Sequence, residues 1–427
     1  MRHPRLALLA AALVAITAAG CGSDSGEAGD GGPVTLRFLW WGSDARHKMT
    51  QQMIDAFEAE HPNIKVEGEF TGWGDYWDKL ATSVAGGNAP DVIQQESRYV
   101  REYADRKALL DLSQHSSVLK MDKLDPAVAQ TGTIDGKTYA VPTGVNAYTV
   151  VANPALFQKA GVEVPDDTTW TWDEYLQTAA KVSKSGQKDL YGLQNFGFND
   201  AGLEIYARQR GESLFNAEGA IGVSDKTLTE WFTMVLKSRD LGSEPQPSLT
   251  VEIQAGGIDQ SLMATGRGAT GVWWTNEVPT LSNAAGVELE LLRFPGESEA
   301  KPGMYLKPAM FLSASARTEH PEAAATFIDW MINSPKAAEI QLSDRGLPIN
   351  LDNRKGVFDK LKPADQISGK FLEEITPNLQ PPPVLPPMGA GEVQSVMQQL
   401  NEQLLFNRIT VADAVKEYRS QTEAALK

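Results

Sequence analysis

The chain has 427 residues, more than the roughly 250–300 at which one hydrophobic core stops growing, so about two domains are expected. Its 42% apolar content is ordinary for a globular chain, and 39 basic against 55 acidic residues leave a formal charge of −16. So acidic a surface argues against a nucleic-acid partner and against electrostatic docking on anionic lipid; solubility is the plain reason for it.

Met1 to Arg5 is a basic opening and Leu6 to Ala19 an apolar run too short to span a bilayer. Residues 1–20 therefore read as a signal peptide. Ala18-Ala19-Gly20 precede Cys21, the sole cysteine, which has no internal disulfide partner. The arrangement resembles a bacterial lipobox, with alanine at 18 where leucine is usual, and implies lipidation of Cys21; ordinary secretory cleavage beside an incidental cysteine is the alternative. Residues 21–33, rich in glycine, serine and acidic groups, read as a flexible lipid-anchored linker.

From Val34 the pattern predicts strand, helix, strand, helix, strand, helix. Val34 to Trp40 alternates, Met49, Met53, Ile54 and Phe57 share a helical face, and His61-Pro62 ends it. Ile64 to Phe70 is a strand. Trp77, Leu80, Ala81 and Val84 mark a helix, Asp91 to Gln94 a buried strand, and Tyr99 to Arg106 a helix. This order predicts a largely parallel sheet between helices, with ligands at the carboxyl ends of its strands. Those ends are Trp40-Trp41-Gly42-Ser43, Trp73 and Gln94-Gln95-Glu96-Ser97.

Gly136 to Pro154 holds two extended runs joined without a helix, and reads as a hinge crossing between two lobes. Beyond it, Thr171 to Glu174 has the capping-box form at the head of a helix. Ser224 to Arg239 is a further helix, Ala269 to Trp274 and Val287 to Phe294 are strands, and Pro321 to Ile332 is a helix. Met304 to Ser313 and Asp344 to Ile349 read as the second and third crossings. Gln380 to Gly389 is proline-rich and extended, and two helices close the chain.

The five histidines are scattered without metal-ligand spacing, and no P-loop, GxSxG elbow or GxGxxG follows a strand. No metal or cofactor is expected. The ten tryptophans stand out instead. A flat aromatic face suits the C–H side of a sugar ring, and amides or carboxylates suit its hydroxyls. Trp77, Trp231 and Trp330 lie on helix faces and read as core. One member each of Trp40/Trp41 and Trp273/Trp274 is expected to pack while the other faces a cleft, because neighbours on a strand point to opposite sides. Glu96, Asn146, Asn276 and Glu277 are polar groups at similar edges; Tyr305 and Arg345 sit at crossings, where hinge structure is the competing role.

The stretches "LRFLWWGSDARHKMTQQMIDAFEAEHPNIKVE", "LATSVAGGNAPDVIQQ", "DGKTYAVPTGVNAYTVVANPALFQKAG" and "FLSASARTEHPEAAATFIDWMINSP" are loose alone but specific in order and spacing. Through them, residues 34–427 resemble the extracellular solute-binding proteins of carbohydrate ABC importers, the group that includes maltose-binding protein. The resemblance implies an α/β two-lobe fold of the type II periplasmic-binding-protein kind. Its N-lobe is expected at 34–144 and 307–346, and its C-lobe at 145–306 and 347–427. It also implies a monomer, anchored outside the cytoplasmic membrane at the cell surface or in the periplasm. Such a protein captures a sugar by hinge closure and delivers it to permease subunits driven by a separate ATPase, without being an enzyme. The implied cleft is lined by Trp40 to Ser43, Gln94 to Glu96, Asn146 with Tyr148, and Trp273-Trp274. A non-sugar solute, and an enzyme acting on surface polysaccharide, are the alternatives.

Overall fold

The computed structural model describes residues 32–298 and 302–426. The expected leader, Cys21 and most of the linker lie outside these residues. Among the described residues no helix is long and apolar enough to cross a membrane.

Among the described residues fourteen strands follow in chain order. They are β1 (Val34–Trp41), β2 (Ile64–Thr71), β3 (Val92–Gln95), β4 (Thr133–Ile134), β5 (Lys137–Thr138), β6 (Val141–Pro142), β7 (Gly144–Asn146), β8 (Tyr148–Ala152), β9 (Tyr191–Leu193), β10 (Gly268–Trp274), β11 (Glu290–Leu292), β12 (Lys307–Pro308), β13 (Phe311–Ala314) and β14 (Leu347–Pro348). The first lobe is built on the sheet β2-β1-β3-β13-β6. Its first three strands are parallel, as the alternation of strands and helices predicts, while β13 runs antiparallel between β3 and β6. The second lobe is built on β11-β8-β10-β9. Its strand β8, Tyr-Thr-Val-Val-Ala, is buried throughout, which is why it reads as a continuous apolar run instead of an alternation.

The stretch around Gly136 to Pro154 divides into four strands in four different sheets. β5 closes a small hairpin, β6 joins the first lobe, β7 stands between the lobes and β8 enters the second. β7 pairs antiparallel with both β12 and β14, so the three stretches expected as crossings form one three-stranded sheet. Two glycines permit it. A Cβ on Gly144 would stand 2.3 Å from the Arg345 carbonyl oxygen; Gly346 has φ +81°, and its Cβ would meet that of Ala309 at 2.8 Å.

After β14 the chain stays on the first lobe. Arg354 Nη1 donates to Asp125 Oδ2 at 3.0 Å, and Asn350 bridges Leu124. From the Pro363–Ile375 helix onward it packs on the second, where Ser368 Oγ donates to the Thr275 carbonyl at 2.9 Å. The proline-rich stretch then touches both lobes. Leu385 is buried in the core cluster of the first lobe that also holds Trp41 and Tyr76, and Arg208 of the second lobe donates to the Pro381 carbonyl at 2.6 Å.

Candidate functional site

The cleft lies where the end of β3, the end of β10 and the start of the Asp200–Arg208 helix converge beside the hinge sheet. β10 pairs with β8 up to Trp274↔Tyr148, which sets those two rings 4.9 Å apart. The turn after β10 folds back so that the Trp274 N–H donates to Glu277 Oε2 at 2.9 Å, fixing that carboxylate at the strand end. On the other lobe Glu96 caps the Ser97–Asp105 helix, accepting from the Arg98 N–H at 2.9 Å. Lys307 on β12 donates to Glu96 Oε1 at 2.9 Å and stands 5.0 Å from the centre of the Trp274 ring. One lysine on a hinge strand thus touches both lobes.

Burial would raise the Glu96 pKa, but the charges of Lys307 and Arg98, with the hydrogen bonds, outweigh it and hold the group down to about 2. Glu277 moves the other way, since burial outweighs the Trp274 N–H and Lys307. For Arg98, burial opposes the charge, but Asp200 and then Glu96 prevail and raise its pKa. Arg98 and Asp200 come from opposite lobes, and neither side chain hydrogen-bonds another described residue.

Two cavities share Arg98, Asp200 and Trp274. One, of about 280 Å³, is polar, with Tyr148, Asn199, Trp273, Glu277 and Gln394 in its wall. The other, of about 110 Å³, is walled by Tyr305, Leu214, Phe215, Phe311 and the prolines around Val384 and Leu385. Of the residues singled out from the sequence, Tyr148, Trp273, Trp274, Glu277 and Tyr305 line this space, and Glu96 reaches it through Lys307.

The others do not line it. Trp40 is fully buried on the far face of β1, its Nε1 donating to His47 Nδ1 at 3.1 Å. Trp41, on the opposite face, packs edge-on against Trp73 and Tyr76. Both members of this pair pack, so the expected division between core and cleft does not hold here. Gly42 and Ser43 form the turn into the Asp44–Glu60 helix, and Trp73 is 45% exposed at the start of its own helix. Gln95 is buried, with neither amide atom bonded to a described residue. The Asn146 Oδ1 accepts from Thr275 Oγ1 at 3.4 Å within the hinge, while Asn276 is exposed on the turn after β10. Arg345 is wholly buried, donating to Gln94 Oε1 at 2.9 Å and Thr50 Oγ1 at 2.8 Å. It braces the first lobe and has no surface in the cleft. Arg98, Asn199, Asp200, Lys307 and Gln394 escaped the sequence reading. For Asp200 the signal was Asn199 as helix cap; the strand before it, three residues long, was too short to point there. Among the described residues no group of three or more histidine, cysteine or acidic side chains is placed to hold a metal ion.

Two α/β lobes joined through a small sheet, with charged groups from both facing one cavity, define a ligand-binding protein that encloses its ligand between lobes. Residues 52–358 match the bacterial extracellular solute-binding protein family, and the chain belongs to it. It is 32% identical over 188 residues to "Uncharacterized lipoprotein in oleD 5'region" of Streptomyces antibioticus, a match spanning 43% of this chain and 40% of that relative. It is 25% identical over 343 residues, 77% of each chain, to "Diacetylchitobiose binding protein DasA" of Streptomyces coelicolor. The solved structure of a family 1 extracellular solute-binding protein from Alicyclobacillus acidocaldarius matches with a TM-score of 0.76 and 26% identity, over 92% of this chain and 99% of that one.

Proposed function

We propose that the chain is the solute-binding component of a carbohydrate ABC importer, anchored through Cys21 outside the cytoplasmic membrane. It hands its sugar unchanged to membrane permease subunits powered by a separate ATPase. The observation that carries the reading is the polar cavity itself. It pairs two tryptophans with amides and carboxylates, as a ring with one apolar face and a hydroxyl rim demands. A ligand that touches Arg98 on one lobe and Asp200 on the other gains contacts only when the lobes are closed. By that differential affinity it holds them shut. The diacetylchitobiose-binding relative supports the sugar class. A thermal-shift screen against mono- and oligosaccharides tests it. A concentration-dependent rise in Tm with a sugar recovered intact is expected; no hit across the panel overturns the carbohydrate reading, and a consumed sugar makes the protein an enzyme.

A further inference from the structure

The smaller cavity does not have the chemistry of its neighbour. Among its polar linings, Ser97 Oγ donates to Glu96 at 2.8 Å, and Thr131 Oγ1 to the Val128 carbonyl at 2.7 Å. Glu204 accepts from Ser213 Oγ and the Leu214 N–H, both at 2.7 Å, and Lys307 is paired with Glu96. Apart from Tyr305 and the three residues shared with the polar cavity, every polar side chain there is already partnered. The remaining wall is apolar: Leu214 and Phe215 from the second lobe, Phe311 from the first, and the stretch Pro382 to Pro386. Beyond Tyr305 and the shared residues, a second sugar would find few hydrogen-bond partners there and would leave its remaining hydroxyls unpaired. An apolar group loses nothing. A volume of about 110 Å³ is of the order of the ~150 Å³ cavity that binds benzene.

We propose that the ligand is a glycoside whose sugar occupies the polar cavity and whose small apolar aglycone, an aryl or short alkyl group, occupies the proline-walled one. Arg98, Asp200 and Trp274 stand at the junction of the two cavities. The inference rests on the carbohydrate reading above. Two features tie the wall to closure: Leu385 is seated in the first lobe's core, and the Pro381 carbonyl is held by Arg208 of the second. The aglycone wall is therefore completed only when both lobes grip the proline-rich stretch.

The test is calorimetric titration of the purified protein with methyl, n-butyl and phenyl glycosides, both anomers, of each sugar in the thermal-shift panel. The n-butyl or phenyl compound should bind about tenfold or more tightly than the methyl one. Val384→Asp, at a side chain 42% exposed and so compatible with folding, should abolish that advantage. Equal affinity across the series overturns the proposal, as does an advantage that survives Val384→Asp. Silence from every glycoside overturns the carbohydrate reading and the aglycone with it.

Discussion

Trp274 is the side chain on which most of the cleft converges. It faces both cavities, contacts Tyr148 and sits beside Lys307. Trp274→Ala should weaken sugar binding by about tenfold or more, since aromatic contacts of this kind contribute about 0.5–1.5 kcal/mol beyond their buried area. Melting of the unliganded protein should move little, because the ring is only partly buried. Unchanged affinity by calorimetry would remove its stacking role. Asp200→Asn tests the charged group of the same lobe, and loss of affinity with an unchanged melting temperature is expected there too. Glu96 governs acid behaviour. Its folded pKa lies below the unfolded value, so its stabilisation is complete above the unfolded pKa near 4.5 and disappears as pH falls through about 2. Lys307→Met removes the largest attractive charge on Glu96 but leaves it Arg98 and the hydrogen bonds from the Arg98 N–H and Ser97 Oγ, so the cost should be about 1–3 kcal/mol near neutral pH. In that variant Glu96 protonates at higher pH, so denaturant unfolding between pH 3 and 6 should show the penalty shrinking with acid; a parallel offset at all pH values would refute the assignment.

The hinge sheet depends on the absence of side chains. Gly144→Ala would press a methyl group against the Arg345 carbonyl and force β7 and β14 apart, a loss of about 1–3 kcal/mol by urea titration. An unchanged midpoint would mean that the strands separate freely. This element also marks how far the sequence is legible. The strand–helix alternation of residues 34–106 carries periodicities of two and 3.6 over many residues, and the corresponding elements form almost where they are expected. The hinge strands have two or three residues each, too few for any period. Only their glycine, proline and β-branched punctuation betrays them. The same limit explains the cleft. Trp274 ends a long strand and Glu277 follows it, so both could be picked out, whereas Arg98 and Asp200 acquire meaning only when two lobes are set against each other. Trp40 and Arg345 show the converse. Both carry the chemistry of a binding residue, and what removes them from the cleft is depth, which no local pattern records.

At the scale of the molecule, the proposed function is closure, and it should be visible in solution. Saturating with a sugar found in the screen should reduce the radius of gyration measured by X-ray scattering. An unchanged radius with bound sugar would refute closure as the response to ligand. Cys21→Ala tests the anchor: the protein should move from the membrane to the soluble fraction, and continued retention would defeat the lipoprotein reading.

The insertion of β13 between β3 and β6 also sets a schedule. During synthesis the inner edge of Val92–Gln95 has no neighbour until Phe311–Ala314 emerges, so the first lobe cannot be finished before the whole central sheet of the second has been made. Such long-range pairing folds slowly, and slow folding leaves a chain open long enough to be threaded through a membrane pore. A fragment ending near residue 144 would carry β3 and β6 as bare edges and should self-associate instead of folding as a lobe.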